Sequence, residues 1–127
     1  MHEEHDFRDY KRFALSASDG GRGILVAATA SPGTLIHTAL SSASGSEWDQ
    51  VWLRATNTSG APVVLTIQWG GTTAPNDIIQ VTIPAQSGFL EVVAGHILQN
   101  ARQILAYAAT ANVIVLHGFV SRYQNTQ

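Results

Sequence analysis

The chain has 127 residues, no cysteine, 7 basic and 9 acidic side chains and a net charge of −2. That length fits one ordinary domain, the missing cysteines exclude a disulfide framework and thiolate metal centres, and the near-balanced charge gives no bulk attraction to nucleic acid or acidic membranes. No apolar run approaches the ~20 residues of a membrane helix, and the first residues are too polar for a signal peptide.

The charge is concentrated at one end. Glu3, Glu4, Asp6, Arg8, Asp9, Lys11 and Arg12 crowd into the start of the chain, and Lys11 is its single lysine. The remainder is poor in charge: the whole chain is 13% charged, against about 25% for an average soluble domain. So neutral an exterior points to a surface that is covered, as in a component of an assembly.

Residues 1–23 read as a charged N-terminal arm ending in a Ser, Asp and Gly hinge at 16–23. Tyr10 and Phe13 stand among Arg8, Lys11 and Arg12, a pattern suited to a partner surface through apolar anchors and ion pairs. His2-Glu3-Glu4-His5 offers zinc-type ligands, but its order is not the metalloprotease His-Glu-x-x-His, and a terminal charge run is ordinarily solvated.

Eight strand-like segments rich in β-branched and aromatic residues follow, at 24–30, 35–40, 48–57, 63–69, 77–83, 88–93, 103–109 and 113–121, with turn-forming residues between them. In 48–57, Trp48, Gln50, Trp52 and Arg54 share one face and Val51, Leu53 and Ala55 the other. In 63–69, Val63, Leu65, Ile67 and Trp69 oppose Val64, Thr66 and Gln68, so this strand is expected to be half-buried. A helical turn around Ile97, Leu98 and Ala101 is conceivable, but Gly95 limits it.

The last segment is apolar on both sides. Val113, Val115 and Phe119 lie on one face with His117 among them, and Ile114, Leu116 and Val120 on the other, which implies that the second face is also covered. Val113, Val115, His117 and Phe119, together with the small side chains of Ala106, Ala108 and Ala109 on the preceding strand, form the candidate subunit interface. The fold class is therefore all-β, an eight-stranded jelly-roll or Greek-key sandwich at 24–123 with an extended N-terminal arm and a polar tail at 124–127; an immunoglobulin-like sandwich is the nearest alternative.

Signals for catalysis are weak. The serines cluster in turns without a Gly-x-Ser-x-Gly elbow, residues 20–23 lack the spacing and lysine of a phosphate loop, and Glu47 and Asp49 flank a strand entry where carboxylates are commonly solvated. No enzyme, cofactor or metal is expected. Trp48, Trp52 and Arg54 form an alternative ligand face, since aromatic rings interleaved with polar groups stack on sugars or make protein hot spots.

The blocks Trp48-Asp49-Gln50-Val51-Trp52-Leu53-Arg54-Ala55-Thr56-Asn57-Thr58, Leu65-Thr66-Ile67-Gln68-Trp69-Gly70-Gly71-Thr72-Thr73, Val81-Thr82-Ile83-Pro84, Ala109-Thr110-Ala111-Asn112-Val113 and His117-Gly118-Phe119 resemble small virion-associated β-sandwich proteins of tailed bacteriophages. The resemblance covers residues 24–122 and implies a head decoration or cement protein, bound to the major capsid protein on the outer surface of the capsid, commonly as a homotrimer. On that expectation Arg8, Tyr10, Lys11, Arg12 and Phe13 bind the capsid, and neither nucleic acid nor membrane is a partner. Phage fibre, tail and baseplate modules share the style of sequence, so a carbohydrate- or receptor-binding module is the alternative.

Overall fold

The computed structural model describes residues 8–42 and 45–125. His2-Glu3-Glu4-His5 lies outside them. The described residues form nine strands and no helix: β1 (Arg8–Ala14), β2 (Ile24–Leu25), β3 (Thr34–Thr38), β4 (Trp48–Asn57), β5 (Val63–Trp69), β6 (Ile78–Ile83), β7 (Leu90–Leu98), β8 (Gln103–Ala108) and β9 (Ile114–Asn125). All pairings are antiparallel, in two sheets ordered β1-β9-β4-β7, with β2 also on β9, and β3-β8-β5-β6.

The pairing is nested along the chain. β5 pairs with β6, β4 with β7, β3 with β8, and β1 and β2 with β9. Apart from β1-β2 and the β5-β6 hairpin, each connection crosses from one sheet to the other. β1 and β2 lie in succession along the same edge of β9, from Arg8 opposite Asn125 to Leu25 opposite Val115.

Period-two alternation places the core between the sheets. Val51, Leu53 and Ala55 of β4, Leu65 and Ile67 of β5, Ile104, Ala106 and Ala108 of β8, and Ile114, Leu116 and Val120 of β9 are all fully buried, each large aliphatic side chain contributing about 1.5–3 kcal/mol by leaving water. Gly118 of β9 is required where β9 and β4 approach: a Cβ there would lie 2.0 Å from the Trp52 carbonyl oxygen.

Four expectations are corrected. The charged arm is, from Arg8 on, an edge strand of the sheet, because alternation lets Phe13 and Lys11 face one side while Tyr10 and Arg12 face the other. Residues 24–30 form only a two-residue strand, since the chain leaves β9 after Val26 donates to the Ile114 carbonyl and crosses to the other sheet, where the Ala28 carbonyl accepts from Ala108 N–H. β7 runs on to Leu98, through Gly95, which is absorbed as a bulge at φ +76°; Asn100 and Ala101, both at positive φ, then make the turn where a helical turn was considered. The last strand extends to Asn125, so Gln124 and Asn125 of the expected tail belong to the sheet.

Candidate functional site

The antiparallel register of β4 and β9 joins two surfaces that the sequence kept apart. Trp48 sits opposite Tyr123, Gln50 opposite Ser121, Trp52 opposite Phe119, Arg54 opposite His117 and Thr56 opposite Val115. Directly opposed residues share a face, so the expected subunit-interface residues Val115, His117 and Phe119 and the expected ligand residues Trp48, Trp52 and Arg54 form one outer sheet face. Val113 departs from this group: it precedes β9 and packs against the core. The Ala-rich strand departs too, since β8 lies in the other sheet and turns Ala106 and Ala108 inward.

β1 extends the same face by alternation. Tyr10 opposes Tyr123 and Arg12 opposes Ser121, whereas Lys11 and Phe13 oppose Arg122 and Val120 on the opposite side of the strand. Four of the five residues expected to form one capsid-binding arm are therefore divided between two surfaces, and the fifth, Arg8, stands at the strand end opposite Asn125.

The face is built of stacked rings. Trp48 stacks on Tyr123 with centroids 4.2 Å apart, and Tyr10 leans on Tyr123 at 4.8 Å. Four residues further along β4, Trp52 stacks on Phe119 at 4.9 Å, with the Arg12 guanidinium 5.8 Å from the Phe119 centroid. Phe89 meets His117 edge-on at 4.8 Å. Such ring pairs contribute about 0.5–1.5 kcal/mol each beyond area burial. The Gly95 bulge gives Trp52 its place, because a Cβ on Gly95 would come within 2.9 Å of the indole.

Part of this face is covered by the chain itself. Gly23 lies so close to Val115 and His117 that a Cβ would meet them at 2.4 and 2.6 Å. Its rim is open: Tyr10 is 57% exposed, Phe89 63%, Leu25 46% and Ile97 44%. Arg12, Arg54 and Glu91 are the charged side chains described on the strands of this face, and Glu91 sits opposite Arg54. Trp48 Nε1 and His117 Nδ1 are buried and meet no hydrogen-bond partner among the described residues, an arrangement that costs about 1–3 kcal/mol per group.

Beneath the Trp48 end lies a polar cluster that sequence reasoning missed. Asp49, expected to be solvated, is fully buried; its Oδ2 accepts from His37 Nε2 at 2.7 Å and from Arg122 at 3.0 Å, and its Oδ1 accepts from Arg122 Nε at 2.7 Å. His37 Nδ1 accepts the Ser16 amide at 2.9 Å, so the ring proton is on Nε2, directed at the carboxylate. The available signal was parity: Asp49 shares its face with Val51, Leu53 and Ala55, and a carboxylate at a core position demands partners.

Burial works to raise the Asp49 pKa, but hydrogen bonds from His37 and Arg122, with the charge of Arg122, hold it below the ordinary carboxyl value. The same hydrogen bond raises the pKa of Arg122 against the opposing effect of burial. A carboxylate-imidazole pair is two parts of a nucleophile relay, yet the third position is taken by an amide, and the Ser16 hydroxyl accepts from Thr38 N–H at 2.7 Å. Among the described residues no group of three His, Cys, Asp or Glu side chains is placed to hold a metal.

No protein-family model, curated protein or solved structure matches this chain.

Proposed function

We propose that this chain is a head decoration protein of a tailed bacteriophage, a jelly roll that associates with copies of itself and with the major capsid protein on the outside of the shell. The nested pairing of β1/β2 with β9, β3 with β8, β4 with β7 and β5 with β6 supports the jelly-roll reading, since that fold is two interlocked Greek keys on paired four-stranded sheets. With β1 and β2 counted as one interrupted strand, eight strands result.

The observation that carries the functional reading is the outer face of β4 and β9. It is aromatic, bears few charges and has an apolar rim at Tyr10, Phe89, Leu25 and Ile97. Interface cores are depleted in charge and enriched in Tyr, Trp, Phe and Arg, which is the composition of this face. Self-association, as a homotrimer, would use Trp52 and Phe119 at its centre, with Val115 and His117 beside them beneath Gly23. Lys11 and Phe13, on the other side of the edge strand, would meet the capsid protein. Trp48 and Trp52 are half-buried against Tyr123 and Phe119, which disfavours them as open platforms for sugar.

The test is the molar mass of the purified chain by light scattering, beside Phe89→Glu and Ile97→Glu. Both rim residues are exposed, so the variants should keep the folded circular-dichroism spectrum, lose the trimer mass and no longer co-sediment with shells of the major capsid protein. A wild-type chain that stays monomeric at every concentration and ignores such shells would overturn the reading.

A further inference from the structure

The opposite side of the sandwich holds a separate cleft, of about 520 Å³, within the ~300–1,000 Å³ range of small-molecule sites. Its floor is the outer face of the β3-β8-β5-β6 sheet. Register builds that floor: Thr66 of β5 lies between Gln80 of β6 and Tyr107 of β8, and two residues along, Gln68 lies opposite Ile78. Thr66 and Gln68 point away from the core, since they alternate with Leu65 and Ile67, yet both are buried.

What buries them is a constructed wall. The β2-β3 loop folds over Gln68, whose Oε1 accepts from the Ser31 hydroxyl at 2.8 Å and whose Nε2 donates to the Pro32 carbonyl. Gln80 Nε2 donates to the Thr66 hydroxyl at 3.1 Å. Thr72 and Pro75, from the β5-β6 connection, close the far side. Because Gln68 is held at both ends of its amide, the wall is set before any ligand arrives, which lowers the ordering cost of binding.

The chemistry of the lining selects the ligand. Its described side chains include hydroxyls, amides, one phenol ring and the apolar carbons of Ile78 and Pro75, and no charged group. A lining of that kind gives an anion or a cation no counter-charge. Neutral hydroxyls and amides pair with neutral hydroxyls, while a tyrosine ring packs against the C–H face of a pyranose. We propose that this cleft binds a neutral sugar residue, with Tyr107 as the packing surface and Gln80 as the exposed hydrogen-bonding group at its mouth. Since the two sheets face opposite ways, the cleft stays accessible when the aromatic face is covered by another subunit.

The experiment is titration of the ¹⁵N-labelled full chain with methyl glycosides of glucose, galactose, mannose and N-acetylglucosamine, with N-acetylneuraminic acid as the charged comparator. At least one neutral glycoside should shift the amides of Gln68, Gln80 and Tyr107 with a Kd of about 1 mM, and Gln80→Ala and Tyr107→Ala should each weaken it about tenfold while their remaining amide spectra stay folded. Shifts with none of the neutral sugars, shifts confined to Trp48 and Trp52, stronger binding of the charged sugar, or undiminished binding in both folded variants would each overturn the proposal. The outcome is separate from molar mass and capsid binding, so loss of either reading leaves the other standing on its own test.

Discussion

Asp49 carries a charge into the interior and holds together three strands that the chain order separates. Its partners are His37 on β3 and Arg122 on β9, 12 and 73 residues away, and His37 in turn anchors the Ser16 amide of the β1-β2 connection. Removing one member of a buried pair leaves the other charge uncompensated, so Asp49→Asn should cost about 3–5 kcal/mol in urea unfolding. The pH dependence follows from the depressed Asp49 pKa: a carboxyl lower in the folded than in the unfolded chain stabilises fully above its unfolded value and loses that contribution as pH falls through the folded one. The urea midpoint of the wild type should therefore fall on acidification below about pH 4, and the fall should be shallower in Asp49→Asn. An equal slope in both would remove Asp49 as the acid-sensitive group. Parity along β4 marks Asp49 as inward-facing, but its partners were not readable from spacing, because the pairing that unites them is fixed by topology rather than by neighbourhood in sequence.

At the scale of elements, the strands with clean alternation were legible: β4 and β5 have the bounds that their apolar periodicity implies. Charge misled at the N-terminus. Arg8, Asp9, Lys11 and Arg12 read as a solvated arm, yet an edge strand tolerates charge along its length and uses it to discourage further pairing, and β1 pairs with β9 over its full seven residues. Bulges were equally hidden, since the glycine that seemed to end β7 is the residue that lets it continue past Trp52. A chain beginning at Ala14 tests the distinction. It lacks the Tyr10 ring against Tyr123 and the Phe13 ring under the Arg122 guanidinium, 4.9 Å away, and should lose about 2–4 kcal/mol of unfolding free energy with a smaller denaturant slope. A detachable arm would leave both quantities unchanged.

At the scale of the molecule, the two outer faces differ in kind, and the proposed self-association through one of them would have a thermodynamic signature. The β4-β9 face exposes large apolar side chains beside stacked rings, so its hydrophobic gain is realised only when another surface covers it. Anything that binds the folded state alone raises its stability by mass action, about 2.7 kcal/mol at a hundredfold excess over the dissociation constant. For a domain of this size that corresponds to a rise in melting temperature on the order of 10 °C across such a concentration range. The wild type should show the rise and Ile97→Glu should melt at one temperature throughout, because its folded monomer keeps the Trp52 and Phe119 stack but loses the apolar rim. Shells of the major capsid protein would act on the same equilibrium as a second ligand, raising the melting temperature of a decoration protein at fixed concentration. A concentration-independent wild-type transition, unmoved by shells, would mean that the rings of this face serve only to lock β1, β9 and β4 together.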